Sequence, residues 1–164
     1  MAVVKLEVRR LAASDDTAAA GAIVQDAYFR LPGYPRDDEY DVLIGDVAGR
    51  ASDVVVANVD GQLVGCLTYV GDMHSPHAEF EDADAASFRY FGVHPSAQGS
   101  GIGEAMVKWC IDTARVDGRR RIRIHTLESM PGAQRLYLRM GFVRDPENDE
   151  VWDDIKGLAF VYHC

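Results

Sequence analysis

Apolar and charged residues alternate through Lys5-Leu6-Glu7-Val8-Arg9-Arg10-Leu11, and this period of two predicts a first strand with one buried face. Ser14, Asp15 and Asp16 supply N-cap side chains for the next segment, where Ala19, Ile23, Val24, Ala27, Tyr28 and Leu31 recur at helical spacing. Pro32-Gly33-Tyr34-Pro35 ends that helix. Over residues 38–52, Tyr40, Leu43, Ile44 and Val47 stand three or four apart and predict a second helix, weakened by Gly45 and Gly49. The valine-rich runs 53–59 and 63–70 flank Asp60-Gly61, a pair suited to the positive backbone angles of a tight hairpin.

Residues 71–87 hold glycine, proline and the acids Asp72, Glu79, Glu81, Asp82 and Asp84, which predicts a loop that covers a site or stays mobile. A strand resumes over 88–93 and stops before Pro95. From Gly101 onward, Ile102, Ala105, Met106, Trp109, Thr113 and Val116 mark one face of an amphipathic helix, with Gly118 as its stop. Arg121-Ile122-Arg123-Ile124-His125 alternates again, so strand, helix and strand suggest a crossover. Ala133, Leu136, Tyr137 and Met140 predict a further helix closed by Gly141, and residues 158–162 a final strand. Between them, residues 145–154 carry six acids and read as a solvated loop or irregular hairpin. The order is that of one α+β domain over residues 1–164, with a mixed sheet.

Composition narrows the function. The 164 residues carry 17 Lys and Arg against 26 Asp and Glu, a net charge of −9 that disfavours general attraction to nucleic acid or an anionic membrane. No apolar run approaches the roughly 20 residues of a membrane span, and the N-terminus lacks the basic and apolar segments of a secretion signal. Cys66, Cys110 and Cys164 are odd in number and widely spaced, which suits free thiols in a reducing cytoplasm.

The segment richest in chemistry is Val93-His94-Pro95-Ser96-Ala97-Gln98-Gly99-Ser100-Gly101-Ile102-Gly103-Glu104, a strand end, three spaced glycines and a helix start. Glycines permit unusual backbone angles, and the free amides of a first helical turn point several donors at an anion, so a pyrophosphate fits without any lysine. A purely structural glycine-rich turn is the plain alternative. A P-loop is excluded because Gly103 precedes Glu104 and Ala105 rather than lysine and a hydroxyl residue. The alternating glycines and the late position also disfavour a dinucleotide fingerprint.

Gln98-Gly99-Ser100-Gly101-Ile102-Gly103 resembles the pyrophosphate loop of the GCN5-related N-acetyltransferase (GNAT) superfamily: Arg or Gln, two variable residues, Gly, one variable residue, then Gly or Ala. Ala133-Gln134-Arg135-Leu136-Tyr137-Leu138-Arg139-Met140-Gly141-Phe142 is similar to that family's second motif, in the right order downstream. The resemblance covers nearly the whole chain. It implies a three-layer α/β/α fold with a mixed, mostly antiparallel sheet of about seven strands, about four helices and a V-shaped split between strands 4 and 5.

The same resemblance implies that acetyl-CoA is the cosubstrate, with no metal. Its pantetheine arm would pair with backbone at Phe91, Gly92 and Val93. Its pyrophosphate would sit on amides of the loop residues Gln98, Gly99, Ser100, Gly101, Ile102, Gly103 and Glu104. Tyr137 matches the family tyrosine that protonates the departing CoA thiolate, a role that a phenol with pKa near 10 can fill; its plain alternative is a buried aromatic. Two positions depart from the family. Ser87 stands where some members have a glutamate base, leaving Glu79, Glu81, His125 or water as candidates, and Met130 replaces a frequent asparagine. His125 also reads as a packed or backbone-bonded residue.

His74 and His77 lie on a loop without further ligands, so a metal site is not expected. Arg119, Arg120, Arg121 and Arg123 read as a solvated basic turn, with contact to the adenosine 3′-phosphate as the sharper alternative. Cys66 and Cys110 suggest packing, not an acyl-cysteine route. By resemblance the acceptor is an amine, small molecule or peptide, governed by residues 28–36 and the 71–87 loop, whose acids favour a cation at encounter. Other expectations are a CoA-binding regulatory module with little catalysis, transfer of a longer acyl chain, and a homodimer paired through residues 157–164.

Overall fold

The computed structural model describes residues 5–164. Strand β1 (Leu6–Arg10) runs antiparallel to β2 (Val54–Val59), with Val8 opposite Ala57. β2 turns through Asp60 and Gly61, at φ 49° and 90°, into β3 (Gln62–Val70), so the predicted hairpin is present. Val54, Val55, Val56 and Ala57 are completely buried, which is why this strand reads as a continuous apolar run.

Helix α1 (Thr17–Phe29) is capped by Asp16, whose carboxylate accepts from the Ala19 amide. Helix α2 (Asp38–Gly45) is capped in the same way by Asp37, which accepts from the Tyr40 amide. The second helix stops at Gly45, not at residue 52, and Ala48–Asp53 form a separate 3-10 segment. Arg50 supplies the reason. Its guanidinium takes the carbonyls of Leu43, Ile44 and Asp46, acceptors that a longer helix would have bonded with its own amides. Gly45 also lies against α1 so closely that a Cβ on Gly21 would collide with its carbonyl.

The remaining elements are β4 (Ala85–Val93), α3 (Ile102–Val116), β5 (Arg121–Leu127), α4 (Pro131–Arg139), β6 (Val143–Arg144), β7 (Glu150–Trp152) and β8 (Ile155–His163). The chain divides into two compact units: residues up to Tyr69 with Tyr90–Trp109, and Val70–Arg89 with Cys110–Cys164. β4 and α3 contribute to both. The first unit orders its strands β1-β2-β3-β4 and the second β4-β5-β8-β6, with β7 also on β8. Among the described residues, eight strands and four α-helices thus realise the expected α+β class, one strand more than the about seven that the family resemblance implies.

In the first unit, Ile23, Val24, Ile44, Val47, Leu67 and Met106 are among the buried apolar side chains. The Gly65 position has no space for a Cβ beside Met106 and Ile102, so α3 approaches β3 closely there. Val116 departs from the predicted helical stripe: it is 87% exposed, and the buried face of α3 ends at Ala114. In the second unit, β5 buries Ile122, Ile124 and Thr126 on one face, and the Phe88, Tyr137, Phe142 and Phe160 rings pack together at centroid distances of 5.6–6.3 Å.

Two expectations on this unit change and a third narrows. β8 lies between β5 on one side and β6 and β7 on the other, so residues 157–164 are not a free edge for pairing a second copy. The acidic run 145–154 is not a solvated loop but the alternative, an irregular hairpin, with β7 antiparallel to β8, and its Asp145 and Asp149 pair with Arg123 and Arg144. Arg121 and Arg123 are likewise no solvated turn but bond Asp82, at 2.5 and 2.7 Å.

Arg50 is 4% exposed and has no carboxylate partner among the described residues; it bonds the Leu43, Ile44 and Asp46 carbonyls at the end of α2 and the Thr68 hydroxyl (2.8 Å). Arg50→Met leaves the Ile44 and Asp46 carbonyls and the Thr68 hydroxyl without this donor, while Leu43 O keeps the Asp46 amide, at about 1–3 kcal/mol for each that water does not reach. Urea unfolding should therefore show a loss of at least about 3 kcal/mol, with Arg50→Lys losing less; equal stability of Arg50→Met and wild type would refute the assignment.

Candidate functional site

β4 reaches the glycine-rich loop through an irregular step. Tyr90 sits inside the strand at φ 52°, a left-handed conformation that costs a non-glycine residue about 1–2 kcal/mol. Its ring is 3% exposed and lies under the Arg50 guanidinium, 4.5 Å from ring centroid to the guanidinium carbon. Beyond it, Phe91, Gly92 and Val93 complete β4. Gly92 is held against α1, where a Cβ would meet the Ile23 carbonyl at 2.8 Å and Val24 Cα at 3.0 Å. The His94 amide then donates to Val64 on β3 (2.7 Å), which fixes where the strand ends.

The loop that follows is tied back to the strand. Gln98 Nε2 donates to the Val93 carbonyl (3.2 Å), and the Ser100 hydroxyl donates to Ala97 O. Gly99 and Gly101 take φ 81° and 84°, and a Cβ on either would meet nothing within 4 Å. Their backbone is therefore bent as only glycine readily bends and faces open space. The first bond of α3 runs from the Ala105 amide to the Gly101 carbonyl (3.1 Å), so the amides of Ile102 and Gly103 belong to the donor-rich end of the helix. All ten predicted cofactor residues, Phe91 to Val93 and Gln98 to Glu104, thus fall together in the first unit. Their donors suit a pyrophosphate.

The other predicted residues belong to the second unit. Tyr137 on α4 is 5% exposed, and burial, with Cys110 nearby, pushes its pKa well above the ordinary phenol value. Ser87 is buried on β4. β4 and β5 pair only at Ala85–Arg121 and Ala86–Ile122, so the ladder opens at Ser87, where a split between strands 4 and 5 is expected. Met130 caps α4, its sulfur accepting from the Thr126 hydroxyl (3.5 Å).

His125 is not a free base. Its side chain is 4% exposed, Nε2 lies 2.8 Å from the Asn148 carbonyl, and Nδ1 lies 3.3 Å from Glu79 Oε2, an ion-pair distance without hydrogen-bond alignment. Phe80 stacks on the ring at 4.5 Å and Trp152 meets it edge-on at 5.4 Å. Burial alone would lower its pKa, but Glu79, the Asn148 carbonyl and Glu150 outweigh burial and raise it. Glu79 also lies 3.5 Å from Arg89, and Glu81 is exposed. With Asp82 on Arg121 and Arg123, these contacts strap the 71–84 loop across the polar face of β5. The Arg121 hydrogen bond, opposed by burial and helped by Arg123, holds the Asp82 carboxyl well below its usual range.

Burial raises the Cys66 thiol to about 12, so it stays protonated at neutral pH. Among the described residues no group of three or more His, Cys, Asp or Glu is arranged to hold a metal ion, and no helix is long and apolar enough to cross a membrane. Sequence reading missed Arg50 and Tyr90, and it named residues 28–36 only as a segment, without the cluster that Tyr34 and Arg36 form with Asp41. Spacing carried no signal for any of them, since each acts through a partner in another element.

A mixed sheet with a glycine-rich turn feeding a helix N-terminus defines an α+β fold with an anion-binding element. Residues 19–142 match the acetyltransferase (GNAT) family, and the chain belongs to it. Its fold is similar to a GCN5-related N-acetyltransferase from Kribbella flavida, with 23% identity over 97% of this chain and 98% of that one and a TM-score of 0.72. It is also similar to yncA from Salmonella typhimurium, solved with its cofactor acetyl-CoA (18% identity, 96% and 93% covered, TM-score 0.65). A third similar structure is N-acetylglutamate synthase from Neisseria gonorrhoeae with coenzyme A and N-acetyl-glutamate (20% identity, 97% of this chain but 35% of that one, TM-score 0.68). No curated protein matches the chain in sequence.

The raised His125 pKa fixes a sign. Its folded-state stabilisation is complete below the unfolded value of about 6.5 and is lost as pH rises through the folded value. Glu79→Gln should lower the His125 midpoint in an NMR titration of its ring proton and narrow the stability gap to wild type as pH rises above neutral. An unmoved midpoint would remove Glu79 as the cause.

Proposed function

We propose that the chain is an acetyl-CoA-dependent N-acetyltransferase that acetylates an amine acceptor by direct attack. The observation that carries this reading is the open, donor-rich turn at Gly99 and Gly101 leading into α3, in a chain of the GNAT family. Backbone amides of Gln98 to Glu104 hold the pyrophosphate, and the Phe91–Val93 backbone pairs with the pantetheine arm. A chain of net charge −9 thereby binds a polyanion through dipoles rather than lysines.

In the reaction the neutral amine nitrogen forms a bond to the thioester carbonyl carbon and the carbon–sulfur bond breaks. A β4 amide near Val93 polarises the carbonyl, and Tyr137 delivers its phenolic proton to the leaving thiolate. Its raised pKa keeps that proton in place across the physiological range. The proton released by the amine returns to solvent or to Tyr137. Three free cysteines, two of them buried, favour a reducing compartment, and we place the enzyme in the cytoplasm.

Tyr137→Phe should retain acetyl-CoA and desulfo-CoA affinity by calorimetry while kcat falls about 10²–10⁴-fold in thiol-release assays; unchanged kcat across pH would take Tyr137 out of the reaction. Gly101→Ala, strained at φ 84°, should weaken acetyl-CoA binding by about tenfold. Binding of both ligands without turnover on any amine would favour a CoA-binding regulatory module, and binding of neither would overturn the reading.

A further inference from the structure

Arg36, in the α1–α2 connection, is exposed yet held in one orientation. Its Nε donates to Asp41 Oδ2 at 2.7 Å, and its guanidinium carbon stands 3.8 Å from the centre of the Phe29 ring. The anchor is itself fixed: the Asp41 side chain is 8% exposed, and its other oxygen accepts from the Tyr34 hydroxyl at 3.0 Å. Burial opposes the charge on Asp41, but the Arg36 and Tyr34 hydrogen bonds outweigh it and hold the carboxyl below its usual range. Tyr34 in turn packs on Phe29 and Tyr28, at 5.9 and 6.0 Å.

This arrangement uses the back of the guanidinium and leaves the front. With Nε spent on Asp41, neither Nη atom has a hydrogen-bond partner among the described residues, although the side chain is 63% exposed. Ordering a long arginine costs rotamer entropy that an isolated surface ion pair scarcely offsets. The outward edge is a planar fork of N–H donors, matched to a carboxylate. Both Asp41 oxygens are occupied, so the cluster has donors to offer and no free acceptor.

Its location ties the fork to the strand proposed to carry the thioester. Ring contacts run from Tyr34 to Tyr28, from Tyr28 to Tyr40 (6.5 Å) and from Tyr40 to Tyr90 on β4 (6.4 Å), all within the first unit. The neighbours Asp37, Asp38 and Glu39 are exposed acids, which repel a dianionic phosphate more strongly than a zwitterion, whose ammonium they attract. We infer that the acceptor is an amine that also carries a carboxylate, and that Arg36 binds this carboxylate and so determines specificity. The inference rests on the acetyltransferase reading above and narrows its acceptor.

The test compares amino acids with their carboxamides, and short peptides bearing free or amidated C-termini, at saturating acetyl-CoA. Wild type should favour the carboxylate form by at least tenfold in kcat/KM, and the free amino acid and peptide arms distinguish the two sources of that group. Arg36→Gln should bring the ratio to about one through a raised KM for the carboxylate form, and Arg36→Lys, lacking the fork, should restore it only in part. Arg30→Gln, at an exposed cation outside the cluster, should keep the wild-type ratio. Equal rates for acids and amides in wild type, or an unchanged ratio in Arg36→Gln, overturn the inference while leaving acetyl transfer intact. If no acceptor turns over, calorimetry with N-acetyl amino acids and their amides decides: Arg36-dependent binding of the acids alone supports the carboxylate site even as the transfer reading fails, and its absence overturns the site as well.

Discussion

A single buried guanidinium sets the geometry of the first unit. Arg50 is surrounded by neutral acceptors, so its charge is balanced by the carbonyl end of α2 and by the face of the Tyr90 ring rather than by a carboxylate. Burial pushes its pKa down, as expected for a cation whose partners are dipoles. The charge can be kept inside only if every donor finds its place, and that requirement fixes where α2 ends, where β3 presents Thr68, and where β4 presents Tyr90. The left-handed step at Tyr90 persists because the ring is clamped from above by Arg50 and flanked by Tyr40. The strand end and the glycine turn that follow inherit their position from this knot.

The second unit solves a different problem. Its strand β5 is apolar on one face and basic on the other, and the basic face is covered by an acidic loop instead of water. Asp82 serves Arg121 and Arg123 together, Glu79 stands beside His125 and Arg89, and Asp145 joins from the far side. Glu79, Asp82, Asp145 and Asp149 are paired with arginines inside the fold, so these acids do not mark the surface of this unit as a site for a cation.

How much of this was legible follows from the range of the interactions. The Asp60-Gly61 hairpin, the cap at Asp16, the start of α3 and the glycine turn are local, written within a few residues of where they act, and each appears as expected. Tyr137 was recognisable because a motif fixed its place on α4. The end of α2 was not, since the residue that stops it, Arg50, lies beyond the stop and acts by taking its carbonyls. The pairing of Asp82 with arginines 39 and 41 residues away leaves no periodic trace, and so those arginines read as a solvated turn. At His125 the packed, backbone-bonded reading holds rather than the candidate base, for a similar reason: its partners Glu79 and Asn148 come from segments distant in sequence, and together they enclose the imidazole and raise its pKa.

These contrasts suggest how one architecture separates the two substrates of the proposed reaction. The proposed cofactor side relies on backbone amides and glycine conformations, features that depend little on side-chain identity. The proposed acceptor side relies on side chains in the α1–α2 connection, where Arg36 is oriented by a buried carboxylate and an aromatic face. Such a connection can change its residues without disturbing the Arg50 knot, because Asp41 and Tyr40 attach it to α2 and Tyr90 while its outward groups remain unconstrained by packing. Acceptor choice can vary on a fixed cofactor scaffold, which is the physical reason that family membership establishes the acyl carrier chemistry more readily than it does the amine.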